Sequence, residues 1–161
     1  MKLMRFLLGL YSYPILGGIA RQLVFLLGAD IPRSVRIGDR FNLKHRGLGV
    51  VLHPDTIIED DVAIFQGVTI GEAEVGNSGG VGPIVIGSRS VICAGAVVIA
   101  PLTGITVGRG SIVAANAVLT VSTGEWEVWA GVPAKLVSHR RRPATESMDR
   151  LPTPNGDHPV G

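Results

Sequence analysis

The stretch "NLKHRGLGVVLHPDT", residues 42–56, holds two histidines, His45 and His53, and no other histidine precedes residue 139. A histidine can remove a proton near neutral pH, because its unperturbed pKa is about 6.5. Either side chain could therefore activate a hydroxyl for attack on a carbonyl carbon. Zinc sites need three or four protein ligands, so two histidines do not predict a metal centre.

The composition indicates an aliphatic core and argues against some classes of function. Of 161 residues, 17% are charged, 5% are aromatic and 22 are glycine, so Val, Ile, Leu and Ala must supply the core. The net charge is +2, and the basic run 140–142 is not interleaved with aromatic residues, which disfavours nucleic-acid binding. The single cysteine, Cys93, cannot form an internal disulfide, so the cytosol is the expected compartment.

Aliphatic residues recur every six positions through the middle of the chain, with one step of nine in each of two tracts. Residues six apart do not share a helix face, whereas a short strand followed by a turn fits this step. The pattern predicts an all-β fold, a parallel β-helix of hexapeptide repeats with these residues inside. They are Ile31, Ile37, Leu43, Leu52, Ile58, Ile64 and Ile70, then Ile86, Ile92, Val98, Val107, Val113 and Leu119.

Residues 1–28 are expected to form a short helical cap over the open end of the β-helix. The helix is predicted to end at Gly28, and its apolar residues lie at helical spacing on one face. That face consists of Ile15, Ile19, Leu23, Leu26 and Leu27. The apolar run is too short to span a bilayer, which needs about 20 residues. A signal peptide, or peripheral membrane contact by residues 1–14, is the alternative to packing.

Residues 29–137 are predicted to be the β-helix, and the polar, Pro-rich residues 138–161 a disordered tail. A Gly-rich excursion, residues 72–83, leaves the repeat, and loops on rigid scaffolds are where chemistry usually lies. Cys93 is expected to be a small packing residue. Trp126 and Trp129 are expected to cover the C-terminal end of the core, with contact to a trimer neighbour as the alternative.

Three segments together resemble the serine acetyltransferase branch of the left-handed β-helix acyltransferases over residues 28–137. They are "HRGLGVVLHPDTIIEDDVAIFQGVTIG", "VICAGAVVIAPLTGITVGRGSIVAANAVL" and "AGVPAK". The resemblance implies left-handed coils, against the usual crossover rule, and a homotrimer with active sites between subunits. It also implies direct transfer of an acetyl group from acetyl-CoA to a hydroxyl, without a metal.

The same resemblance implies which residues form the site. His45 takes the place of the family's general base, and Asp30, fifteen residues upstream, takes that of the aspartate which orients it. His53 is then expected to be structural. The residues matching the acetyl-CoA groove are Gly71, Ala94, Ala115 and Lys135, of which Lys135 would meet a CoA phosphate.

The chain departs from the family where an amino-acid acceptor would bind. Lys44 replaces an aspartate that holds the substrate amino group, and Val81 and Gly82 replace an Arg-His pair before Pro83. A lysine repels an ammonium group, so the expected acceptor is a sugar or polysaccharide-precursor hydroxyl, bound near Lys44, Arg46 and Gly82. Serine O-acetylation is the alternative, and a non-catalytic β-helix binding protein is the alternative of another class.

Overall fold

A computed structural model describes residues 2–74 and 80–143. Two helices, α1 (Lys2–Gly9) and α2 (Pro14–Leu26), are joined by a 3₁₀ turn, and fourteen described strands follow. The strands are β1 (Arg36–Ile37), β2 (Asn42–Leu43), β3 (Val51–Leu52), β4 (Thr56–Ile58), β5 (Ala63–Ile64), β6 (Thr69–Glu72), β7 (Ile84–Ile86), β8 (Val91–Ile92), β9 (Val97–Ala100), β10 (Ile105–Val107), β11 (Ile112–Val113), β12 (Val118–Leu119), β13 (Glu127–Gly131) and β14 (Ala134–His139).

The strands form three sheets that the chain visits in turn. Sheet 1 has the order β1-β4-β7-β10, sheet 2 the order β2-β5-β8-β11-β13-β14, and sheet 3 the order β3-β6-β9-β12. All pairings are parallel except that of β13 with β14. The fold is a left-handed parallel β-helix with a short N-terminal helical cap, which confirms the predicted fold class.

The six-residue period is confirmed as the spacing of the core. Twelve of the thirteen repeating aliphatic residues are buried, and Ile37 is partly exposed. They stack in register between coils, as in the ladder of Leu43, Ile64, Ile92 and Val113. Each coil therefore buries the apolar side chains of the next, and stacked repeats share one continuous core.

The helical cap is present, but the prediction of which face of α2 packs inward is wrong. The buried residues of α2 are Gly17, Ala20 and Val24, whereas Ile15 and Leu26 are each 78% exposed. Both sides of α2 are apolar, so periodicity alone could not choose between them. The side with small residues packs inward because it allows close backbone approach. Neither of the two described helices has the length and hydropathy to cross a membrane.

Regular structure continues past residue 137, where the sequence predicted a disordered tail to begin. Residues 138 and 139 belong to β14, and the backbone N–H of Arg140 donates to the Trp126 carbonyl at 2.6 Å. The antiparallel pairing of β13 and β14 closes the last coil, which a parallel six-residue period cannot predict. The rest of the predicted tail, 144–161, lies outside the described residues, as do positions 75–79 of the Gly-rich excursion.

The two tryptophans lie at this C-terminal end. Trp126 is 6% exposed, and the Arg140 guanidinium lies 5.8 Å from its ring centroid. The Nε1–H of Trp129 donates to Glu127 Oε2 at 2.8 Å, and the Trp129 side chain packs against the core. Within this chain both tryptophans therefore cover the end of the β-helix.

Candidate active site along one edge of the β-helix

The turns that lead from sheet 2 to sheet 3 stack into a regular edge, here called the His45 edge. The Gly95 N–H donates to the Gln66 carbonyl at 3.0 Å, and the Asn116 N–H donates to the Ala94 carbonyl at 2.9 Å. The turn residues Gly67, Gly95 and Asn116 have φ of 70°, 68° and 56°, a left-handed region that glycine and asparagine tolerate. Gln66, Ala94 and Ala115 therefore follow one another on successive coils.

His45 lies on the first coil of this edge, in a 3₁₀ turn formed by Lys44–Gly47 directly after β2. His45 and Arg46 have φ of 48° and 61°, so the turn is locally left-handed and the imidazole is exposed. Its ring centroid lies 6.3 Å from that of Phe65 on the next coil. The imidazole of His45 makes no hydrogen bond within the described chain, so its nitrogens are available to a substrate hydroxyl.

Asp30, the predicted partner of His45, is not bonded to it among the described residues. The Asp30 backbone lies beside the end of the His45 turn, since its N–H donates to the Val50 carbonyl at 2.8 Å. Its carboxylate instead accepts a hydrogen bond from Arg21 at 3.3 Å. Both side chains of that ion pair are about 40% exposed, and such pairs contribute little stability. The Asp30–His45 dyad stays a prediction.

Three of the four residues predicted to contact acetyl-CoA lie along the His45 edge or at its end. Ala94 and Ala115 occupy equivalent turn positions, and Lys135 is exposed on β14 beside Ala130. Five strand spacings separate β2 from β14 in sheet 2, a length of about 24 Å. Gly71 lies in β6, within sheet 3, and so is not on this edge.

The residues predicted to bind the acceptor are divided between two edges. Lys44 and Arg46 flank His45, and Arg46 lines an apolar cavity of about 150 Å³ with Leu3, Met4 and Leu27. The Gly82 N–H donates to the Leu102 carbonyl at 2.8 Å, which places Gly82 against the turn after β9. That turn joins sheet 3 to sheet 1, so one chain does not bring Gly82 to His45.

His53 is held by its own turn. The Asp55 N–H donates to His53 Nδ1 at 3.2 Å, and Nε2 lies 3.8 Å from a Glu72 carboxylate oxygen. The His53 side chain is 18% exposed. These contacts support the expected structural role.

Sequence reasoning missed Gln66, which lies on the His45 edge one coil after the His45 turn. Its amide oxygen is buried and has no hydrogen-bond partner in the described chain. Buried polar atoms are almost always paired, so this oxygen can accept a hydrogen bond from a bound ligand. The available signal was a large polar residue at a turn position that is alanine on the next two coils.

Cys93, next to Ala94, is expected to react slowly with thiol reagents. Burial raises the pKa of the Cys93 thiol, so less of the reactive thiolate is present at neutral pH. Labelling with Ellman's reagent should be slower in the folded protein than in the same protein in urea. Equal rates in the two states would contradict this description of Cys93.

The chain is similar in sequence to proteins named serine acetyltransferase. No protein-family model matches the chain. It is 33% identical over 135 residues to a serine acetyltransferase of Bacillus licheniformis, covering 83% of this chain and 60% of that protein. It is 35% identical over 128 residues to a serine acetyltransferase of Mycobacterium tuberculosis, covering 79% and 53%. The chain thus spans little more than half the length of these relatives.

A solved structure gives the same result. A serine acetyltransferase from Brucella abortus in complex with coenzyme A superposes with a TM-score of 0.71 at 28% identity. The superposition covers 87% of this chain and 55% of that one.

Among the described residues, no three His, Cys, Asp or Glu side chains are grouped so that they could hold a metal ion.

Proposed function

Because the chain belongs to the serine acetyltransferase-like branch of the hexapeptide-repeat β-helix proteins, we propose that it transfers an acetyl group from acetyl-CoA directly to a hydroxyl. The observation that carries this proposal is the His45 edge. An exposed histidine begins it, small residues at Ala94 and Ala115 leave room along it, and Lys135 supplies a cation at its far end.

His45 acts as the general base. Its imidazole removes the proton of the acceptor hydroxyl while the hydroxyl oxygen attacks the thioester carbonyl. The CoA thiolate then leaves and takes that proton from the imidazolium, so no covalent enzyme intermediate is needed. Asp30 would orient His45 and stabilise the imidazolium after its carboxylate exchanges Arg21 for the imidazole. Lys135 binds a CoA phosphate as a point charge.

The catalytic unit is residues 29–137, extended by the end of β14, and it works as a homotrimer in the cytosol. Support for the trimer comes from Gly82, which lies on a different edge from His45 in one chain. In a trimer, Gly82 of one subunit could lie beside the His45 edge of the next. Peripheral membrane contact of the N-terminus is a separate proposal.

For the acceptor, the comparisons favour the alternative, L-serine, over the sugar hydroxyl expected from the sequence. The relatives at 33% and 35% identity are both named serine acetyltransferases, and none of the comparisons supports a sugar. A sugar hydroxyl stays the second candidate because of Lys44, which lies next to His45 and carries the same charge as the serine ammonium group.

The acceptor is identified by following CoA thiol release with L-serine and, separately, with a panel of sugars and nucleotide sugars. We expect turnover with L-serine, and a lower serine KM in Lys44→Asp than in Lys44→Gln, because a carboxylate at this position attracts the ammonium group. Turnover with a sugar alone would establish the second candidate. Absence of thiol release with every acceptor would contradict the proposed activity.

A further inference from the structure

The helical cap carries an apolar surface that no other described part of the chain covers. Ten of the seventeen exposed large apolar side chains of the described residues lie between 3 and 27. The only polar side chains in α2 are Arg21, which pairs with Asp30, and Gln22, which is exposed. Monomers rarely leave such a surface in water. The ten residues, here called the cap face, are Leu3, Phe6, Tyr13, Ile15, Leu16, Ile19, Leu23, Phe25, Leu26 and Leu27.

The N-terminal part of the chain, which includes the cap face, carries an excess of positive charge. Residues 1–50 hold eight lysines or arginines and two aspartates, whereas residues 51–161 hold seven and eleven acidic residues. No acidic residue precedes Asp30. Arg46 lies beside Leu3 and Leu27 at the rim of the cap face, and neither Arg46 nor Arg5 has a carboxylate partner among the described residues.

From these two observations we propose that the cap face binds the surface of an anionic lipid bilayer. Helices with one apolar side lie in the membrane interface with that side among the acyl chains, and flanking cations bind anionic headgroups. A second copy of the chain is the less favourable occupant, because two such cationic regions repel each other. Docking involves α2 as well as α1, beyond the residues 1–14 considered from sequence.

Docking also brings the candidate active site close to the lipid. Arg46, at the rim of the cap face, is the residue after His45. An acceptor hydroxyl displayed at the membrane surface would therefore be within reach of the His45 edge. The binding of lipid itself does not depend on the proposed acetyl transfer.

The test is flotation of the full chain with vesicles of phosphatidylglycerol and phosphatidylcholine, compared with vesicles of phosphatidylcholine alone. We expect flotation with the anionic vesicles, weakened by salt, and at least about tenfold weaker binding for Ile19→Glu combined with Leu26→Glu. The matched control, Val121→Glu combined with Val137→Glu, changes two exposed valines outside the cap and should float like the wild type.

Circular dichroism and light scattering accompany each variant. If the cap variant is misfolded, Arg5→Gln combined with Arg46→Gln replaces it, and weaker binding to anionic vesicles is again expected. No flotation of the wild type, or equal flotation with both kinds of vesicle, would overturn the proposal. So would dissociation of an oligomer in the cap variant alone, since the cap face would then join copies of the chain. Vesicle binding without acetyl transfer would overturn only the proposed function.

Discussion

Replacement of His45 by alanine is expected to lower the rate of acetyl transfer by roughly 10²–10⁴-fold, the usual contribution of general acid–base catalysis. The imidazole is exposed at the head of the His45 edge and makes no hydrogen bond within the described chain. Its removal should therefore leave the fold and acetyl-CoA binding unchanged. The loss should appear in kcat rather than in the KM for acetyl-CoA.

The measurement is CoA thiol release by wild type, His45→Ala and the matched variant His53→Ala. His53 is tied to its own turn by the Asp55 amide, so its loss should cost stability more than rate. If His53→Ala abolished turnover while His45→Ala remained active, the assignment of the base would be reversed. In a pH–rate profile, an ionisation that is present in the wild type and in His53→Ala but absent in His45→Ala would identify His45 as the general base.

Replacement of Ile92 by alanine is expected to lower the free energy of unfolding by about 2–5 kcal/mol, because it removes a fully buried side chain and leaves a cavity. Ile92 lies in the middle of sheet 2, in register between Ile64 and Val113. A cavity there interrupts the stacking of two coils. The surrounding ladder is close-packed and can relax only partly.

Urea unfolding at one fixed protein concentration measures this loss, because a trimer would make stability depend on concentration. Val121→Ala is the matched control, since Val121 is 50% exposed and its loss should cost less than about 0.5 kcal/mol. Equal midpoints for the two variants would contradict the description of the repeating residues as the core.

The β-helix could be predicted because one interaction, burial of an aliphatic side chain every six residues, repeats in every coil. Leu43, Ile64, Ile92 and Val113 need no long-range information to be recognised as equivalent. The same regularity places Ala94 and Ala115 at equivalent turns, 21 residues apart. The cations and carboxylates follow no such repeat, and their partners depend on the docking of separate elements.

Three features of the structure could not be predicted from the sequence for this reason. The pairing of Arg21 with Asp30 depends on how α2 sits on the first coil. The buried side of α2 was decided by the small residues Gly17 and Ala20, although the opposite side is more apolar. The position of Gly82, away from His45, depends on which edge its excursion leaves, and only the folded coil defines that edge.

The proposed activity requires acetyl-CoA to bind along the His45 edge, and calorimetric titration of the full chain with acetyl-CoA measures whether it does. We predict saturable binding that is retained in His45→Ala and weakened in Lys135→Ala, because Lys135 neutralises a phosphate at the far end of the edge. Absence of binding by the wild type would contradict the proposed acetyl-CoA site and favour the alternative of a non-catalytic β-helix protein.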